Sequence, residues 1–463
     1  MSQPNPLRDI DVSILGEAMI SDEGMDVLRT LCDVHGSRFA GSADERRAGD
    51  FLLDRMRAIG LSHVHAEPFR ILGWRRGPHP RVQAVGPQKL AVDTLALPYC
   101  PATRQGGIEL ELLSLGEGMP EDFARLRKQI KGKAVLVTSE SPAYYPRWVH
   151  RAEKYARAVA LGAKAFFFMN HYDGLLAPTG ALRFNHRAEI PGLGIAKETG
   201  LRLLRLAAAG PIRLHIETFD RTLMLQSRNI VGELVGTERP DEIVVVGGHY
   251  DGHDISQGGD DNAGGVAAVM EAARLLAPHR AALKRTVRFT CFGSEEIGLL
   301  GGHDYVRAHA KELPKTRLMV NVDCIGGARG KGFDFHGWDE AKKPLGDMAG
   351  EMHEGVGFAS RPNPYSDHFP FIVAGVPNCG LGNVGSAPAG RGYGHTAADT
   401  VDKVNRADLR EAAALLARSL IRFANDPGWA LPHKSRRQVR QMLDRFEIIN
   451  VLKTEGNLPP ELA

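Results

Sequence analysis

The sequence predicts an α/β protein, with a sheet sandwiched between helices and a smaller strand-rich unit beside it. Two observations carry that prediction. From Asn229 onward the apolar runs NIVGELVG, EIVVVGG, TVRFTCF and RLMVNVD alternate with amphipathic stretches of helical period, as strands do when helices cover both faces of their sheet. At 463 residues the chain is also too long for one ordinary core, which implies two or three domains.

Taken in order, residues 44–59 place Ala48, Phe51, Leu52, Met56 and Ile59 on one helical face, and Gly60 stops the helix. A stretch rich in proline and glycine between residues 78 and 101 marks an exit from this segment. IELELLSL (108–115) and KAVLVT (133–138) read as strands, 151–161 as a helix, and AFFFM (165–169) and IPGLGI (190–195) as further strands. This block is the small strand-rich unit. In the second half, 262–277 forms a helix with Val266, Val269, Met270, Ala273 and Leu276 on one side, and 407–423 a longer one. HKSRRQVRQMLDRFEIINVLK (433–453) reads as one basic amphipathic helix, docked on the domain or on a second subunit.

Hydrophobic residues at 43% and charged residues at 24% are those of a soluble globular protein. The balance of 58 basic and 55 acidic residues, +3 in all, gives no reason to expect a nucleic-acid or membrane partner. No run approaches the roughly 18 apolar residues of a membrane span. MSQPNPLRDIDVSILGEAM lacks a basic segment followed by an apolar one. The expected location is cytoplasmic, with secretion as the alternative if a leader preceded this sequence. Five scattered cysteines without a CxxC pair argue against a disulfide framework or a thiolate zinc site.

The densest chemistry lies at 247–265, GGHYDGHDISQGGDDNAGG, directly after Ile243–Val246. Unpaired buried charge is costly, so solvent, cationic side chains or metal must compensate it. Ligands of an open α/β sheet bind beyond the carboxyl ends of its strands. Four segments bring acids or histidines there: His249 with Asp251, Asp260 with Asp261, Glu295 with Glu296, and Asp323. GYGHTAADT (392–400) adds His395 and Asp399. Imidazole and carboxylate donors without sulfur suit zinc, with manganese and cobalt as rivals. The set exceeds one tetrahedral site that keeps a water, and suits two ions about 3.5–4 Å apart sharing a carboxylate.

In this order GGHYDG, GGDDNAGG, SEEIGLLGG, NVDCIGG, YSDHFPF and GHTAADT resemble the di-zinc exopeptidase family of bacterial aminopeptidases and glutamate carboxypeptidase. Upstream, HGSRFAGS (35–42), HVHAEPFRILGWRRG (63–77) and the KGKAVLVT block are similar to its carboxypeptidase Q-like members. The resemblance implies a phosphorylase/hydrolase-like mixed sheet sandwiched by helices, built from residues 1–92 and 223–430. It also implies a β-rich protease-associated insert at 93–222, leaving 431–463 as a helical tail. The insert is expected to shield the cleft and limit substrate size.

The same resemblance implies that His249 and Asp323 hold one zinc ion, Glu296 and His395 a second, and that Asp261 bridges them. It implies a cis peptide between Asp261 and Asn262. Glu295 corresponds to the family's general base, which takes a proton from the metal-bridging water and delivers it to the leaving amine. Asp251 would accept a hydrogen bond from the second ring nitrogen of His249, and Asp399 would do the same for His395. Asp367 and His368 fall where the family builds its substrate pocket. Where several relatives carry a tyrosine just before the last histidine ligand, this chain has Gly394. Either Tyr393 reaches the same place, or the metals stabilise the oxyanion alone.

Each residue also has a plainer reading. Alone, His249 would be a satisfied core histidine, Glu295–Glu296 an acidic helix start and Asp260–Asp261 an N-cap, a role left to Asp260. His253 and Asp254 are extra to the family pattern and read as surface residues. Cys324 is expected on the strand face opposite Asp323, packed as a small hydrophobe. Arg329, Lys331 and Arg361 read as solvated cations or as readers of a substrate carboxylate.

The expected function is hydrolysis of a peptide bond next to a free terminus, by an aminopeptidase or dipeptidase. A carboxypeptidase-like preference stands close behind. Two zinc ions per chain and a peptide or dipeptide substrate belong to this expectation, with a second copy of the chain as a candidate partner. The rival chemistry is hydrolysis of acylated amino acids or other small amides on the same site. The rival class is a non-catalytic binding protein on this fold, which predicts loss of a ligand or of the base, whereas all are present.

Overall fold

The computed structural model describes residues 5–85, 89–325, 331–384 and 392–463. Strand Arg239–His249 is buried on both sides, as its unbroken valine run requires. Val244 and Val246 pack with Val320, Val322 and Val266, while Ile243 and Val245 pack with Met319, Tyr305 and Phe371. Successive strand residues face opposite ways, and each side chain buried in this manner is worth about 1.5–3 kcal/mol. The strand therefore sits in the middle of its sheet.

That sheet runs Ser62–Arg75, Arg221–Leu234, Arg285–Phe292, Arg239–His249, Thr316–Val322, Asn378–Asn383, Lys331–Asp334, Gly357–Ala359. Its four central strands, from Arg285–Phe292 to Asn378–Asn383, are parallel, and the outer strand of that block pairs antiparallel with its next neighbour on each side. The sheet is therefore mixed. Helices Gly265–Leu276 and Arg406–Asn425 pack against one face, with Leu300–Ala308 and His368–Val373 on the other. Buried Ala267, Ala268, Ala272 and Ala273 keep Gly265–Leu276 thin enough to pack closely on both the sheet and the neighbouring Arg406–Asn425. Among the described residues no helix is long and apolar enough to cross a membrane.

Every strand of the second sheet lies between Arg81 and Glu217. Its parallel centre, Ile108–Ser114, Ala134–Thr138, Ala165–Met169 and Gly192–Ile195, closes on its own core of residues such as Leu136, Phe167, Leu193 and Leu214. The chain leaves the first sheet at Arg75 and returns at Arg221, opposite the residue it left. The second unit is thus inserted between two paired neighbours.

Local structure departs from the sequence reading in three places. Helix Gly265–Leu276 starts later than residue 262 because Asp261 and Asn262 have non-helical backbone angles, and the peptide between them is cis. Strand Ser62–Arg75 pairs along its length with Arg221–Leu234. It shows no clean alternation because it is an edge strand with polar residues on both faces and Pro68 within it. The basic tail forms two helices, Arg436–Arg445 and Ile448–Glu455, broken where Glu447 adopts a left-handed φ of 62°. The tail docks on its own chain: Arg183 donates to the Glu455 carbonyl at 2.7 Å, and Tyr365 to Glu455 Oε1 at 2.9 Å.

Candidate metal centre

Parallel strands deliver the predicted residues to one rim. Arg239–His249 ends on His249, Glu295 and Glu296 follow Arg285–Phe292, and Asp323 follows Thr316–Val322. His249 Nε2 lies 3.3 Å from Asp261 Oδ1 and 3.7 Å from Asp323 Oδ1. The second oxygen, Asp261 Oδ2, lies 3.1 Å from His395 Nε2, which is 3.9 Å from Glu296 Oε2. Asp261 thus divides its oxygens between two histidines, each with a further carboxylate at its side.

Two donors held at about 2.0–2.1 Å by one ion stand about 3.3 Å apart at the tetrahedral angle. The imidazole–carboxylate spacings around Asp261 are of that size. Glu296 Oε1 is buried with no hydrogen-bond partner among the described residues, as a ligand atom waiting for a cation would be. The donor set therefore fits a pair of nitrogen- and oxygen-binding cations.

Without cations, these groups set their charges against one another. Burial opposes ionisation of Asp261, but His249 and His395 outweigh it and hold its carboxyl far below the ordinary range. Burial disfavours the imidazolium of His249, yet Glu295 and the carboxylates of Asp251, Asp261 and Asp323 raise it well above the usual value. Burial and Asp261 push Glu296 up to about 8. Glu295 is driven well above its ordinary value by burial and by Glu296, Asp367 and Asp323.

The supporting bonds differ from expectation in instructive ways. His249 Nδ1 meets the backbone carbonyl of Asp251 at 3.1 Å, while the Asp251 carboxylate stands 3.6 Å off. That carboxylate instead accepts the peptide N–H groups of Glu295 and Glu296, at 2.9 and 3.2 Å. Asp399 does not orient His395. Its two oxygens accept the N–H groups of Asp260 and Asp261, at 2.9 and 3.1 Å, because its loop folds over residues 259–261. Asp260 does not cap the helix; it is buried, with the Tyr393 hydroxyl 3.4 Å from Oδ2.

Sequence reasoning overlooked several supports. Asn262 donates to the Val322 carbonyl at 2.8 Å, and its Oδ1 accepts from Gly265 and Cys324 at 3.1 and 3.2 Å. A Cβ at Gly265 would fall 2.1 Å from that Oδ1, which is why glycine stands there. Ser366 donates to Asp323 Oδ2 at 2.7 Å and accepts from Asn321 at 2.7 Å. Arg38, fully buried, donates to the carbonyls of Leu31, Gly36, Tyr250, Gln257 and Gly258, and so ties HGSRFAGS to the loop between His249 and Asp261. Ser366 and Asn262 stand next to the acidic Asp367 and Asp261 in the sequence, but no spacing of their own marks them.

Three surface or packing expectations are overturned. His253 is 2% exposed, with Nε2 2.8 Å from Glu296 Oε2. Asp254 forms a bidentate pair with Arg76 at 2.6 and 2.8 Å, drawing the 252–254 turn inward. Cys324 does not pack on the far strand face. The strand ends at Val322, Cys324 adopts φ 63°, and its thiol lies 3.0 Å from Asp323 Oδ1. Lys331 is no solvated cation either: it is buried in strand Lys331–Asp334 and donates to the Ile325 carbonyl. Arg329 lies outside the described residues.

A cleft of about 320 Å³ opens beside Asp323, lined also by Asp334, His336, Tyr365, Ser366 and His368. It adjoins a second of about 340 Å³ between Arg361, Arg147 and Trp148 of the insert, and Phe446 of the tail. His368 thus lines the first cleft. Asp367 is fully buried, its two oxygens have no hydrogen-bond partner among the described residues, and burial pushes its carboxyl well up. Tyr393 is directed at Asp260.

Residues 229–420 match the family described as peptidase family M28, and residues 95–203 match the PA domain. The chain is 29% identical to aminopeptidase YwaD of Bacillus subtilis (strain 168) over 83% of its length and 81% of that protein. It is 28% identical to carboxypeptidase Q of Mus musculus, over 68% and 67% respectively. Its fold matches a peptidase M28 precursor from Shewanella amazonensis SB2B, with a TM-score of 0.79 and 24% identity over 92% of this chain and 99% of that one. It also matches BSAP, a zinc aminopeptidase from Bacillus subtilis, with a TM-score of 0.68 and 23% identity over 89% and 97%.

Proposed function

For a chain that joins a peptidase family M28 domain to a PA domain, we propose the function of a metallo-exopeptidase that hydrolyses the peptide bond next to a free terminus. The observation that carries this reading is Asp261, whose two oxygens face two histidines at 3.3 and 3.1 Å. In our reading His249 and Asp323 hold one zinc ion, Glu296 and His395 a second, and Asp261 both. When bound, the ions would polarise the scissile carbonyl and make the attacking water more acidic.

Glu295 takes the water's proton and hands it to the leaving amine. Its backbone, and that of Glu296, is fixed by the Asp251 carboxylate, so base and ligand are aimed by one side chain. The cleft beside Asp323 receives the residue at the cleaved end. An aminopeptidase preference is supported by the likeness to aminopeptidase YwaD.

Glu295→Gln is expected to lower kcat by about 10²–10⁴-fold, the usual worth of a general base, with metal content unchanged on elemental analysis. Wild-type turnover in that variant would remove Glu295 from the mechanism. Free, N-blocked and C-blocked dipeptides decide which terminus is read: loss of turnover on N-blocking alone is the expected result. Metal-free protein should be inactive and regain activity with zinc.

A further inference from the structure

We propose that His253 is a further metal ligand, binding the ion that Glu296 and His395 hold; the proposal rests on the two-ion reading above. His253 stands four residues past the end of strand Arg239–His249, buried rather than at the surface. Its Nε2 lies 2.8 Å from Glu296 Oε2, and its ring centroid 4.4 Å from that of His395, with the planes at 70°. Donor atoms of His253, Glu296 and His395 all fall within 4.8 Å of one another.

A hydrogen bond to Glu296 would explain the short distance only if a ring N–H pointed at the carboxylate. Neither ring nitrogen of His253 makes a hydrogen bond among the described residues, and neither does Glu296 Oε1. Buried polar atoms left without partners call for an explanation, and one shared cation supplies it for His253 Nε2 and Glu296 Oε1 together. Donors at about 2.0–2.1 Å from an ion stand about 2.9 Å apart at a right angle, close to the spacing of His253 and Glu296. Such an angle belongs to a five-coordinate zinc, a geometry open to catalytic sites.

The two ions would then be unlike. The one at His395 gains an extra protein donor and is held more tightly. The one at His249 keeps the freer coordination, on the side where the cleft meets Asp323.

Zinc-loaded crystals, with anomalous scattering at the zinc edge, should place a His253 nitrogen about 2.0–2.1 Å from the ion between Glu296 and His395. In chelator competition, His253→Ala and His253→Phe should both weaken one zinc site by about 100-fold or more and leave the other unchanged. His253→Phe keeps an aromatic ring in place, so it separates ligation from packing. Cobalt-loaded protein should absorb more strongly in the visible in both variants, as the coordination number of one ion falls. A zinc ion found there but beyond 3 Å (roughly, well outside bonding range) from both ring nitrogens, or unchanged affinities in His253→Phe, would overturn the proposal and leave the two-ion reading standing. Crystals with no zinc between Glu296 and His395 would overturn both.

Discussion

Asp323 is oriented through a relay that runs from Asn321 through Ser366 to its Oδ2, each link 2.7 Å long. Removing the hydroxyl in Ser366→Ala leaves the carboxylate free to rotate. A bond of this kind behind a metal ligand is typically worth 10–100-fold in metal affinity or activity. A loss of about that size is expected in zinc competition, with the fold unchanged by circular dichroism. The imidazoles and acids of the site were readable because, grouped at strand ends, they need a compensating charge. Ser366 and Asn262 were not, because a serine or asparagine bond to a neighbour's oxygen leaves no mark on spacing. His253 was misread for the same reason: its burial depends on how the 252–254 turn folds inward, with Asp254 held by Arg76.

At the scale of elements, helix Arg8–Ile20 is held to Arg406–Asn425 by a buried ion pair. Asp11 meets Arg422 at 2.9 and 3.0 Å and Arg418 at 3.2 Å. Asp11→Ala would leave Arg418 with Glu354 and Arg422 with Glu351 alone as carboxylate partners among the described residues, and losing charged hydrogen bonds of this kind costs about 1.5–3 kcal/mol, read as a lower urea midpoint. Burial raises the Asp11 carboxyl, but Arg422, Asn5 and Arg418 outweigh it and leave it below its ordinary value. A lowered native pKa adds stability above the unfolded value, and that stability disappears as pH falls through the native one. Wild type should therefore lose more stability than Asp11→Asn on acidification below about pH 4. Helix Ala43–Ile59 was legible because both its ends are local: Ser42 accepts the Glu45 N–H, and Gly60 takes φ 84°. Strand Ser62–Arg75 was not, because what makes it a strand is its partner, 150 or so residues away in sequence.

At the scale of the whole molecule, three separate stretches of chain meet over the site. The insert supports His395 directly, through the Thr179 N–H to its carbonyl at 2.8 Å. Arg151, from the insert's helix Arg151–Ala160, holds the carbonyls of Thr179 and Ala181 in place. Beyond the cleft at Asp323, Trp148 of the insert and Phe446 of the tail wall the adjoining space. Longer peptides should therefore be cut less well than dipeptides. Trp148→Ala is expected to narrow that difference by about 10-fold in kcat/KM, equivalent to about 1.4 kcal/mol, as measured on di-, tri- and hexapeptides. Equal effects on all lengths would show that Trp148 does not limit substrate size.

The amino-acid sequence alone determined the sheet's apolar strands, the ends of its capped helices and the acids and imidazoles that flank those strands, because each is written in short-range periodicity or in charge that burial must compensate. Tertiary structure alone decided that Asp261 spans two histidines, that the Asp251 and Asp399 carboxylates hold peptide N–H groups rather than imidazoles, and that His253 comes inside. These depend on distances between segments far apart in the chain, and a one-dimensional pattern carries no measure of such distances.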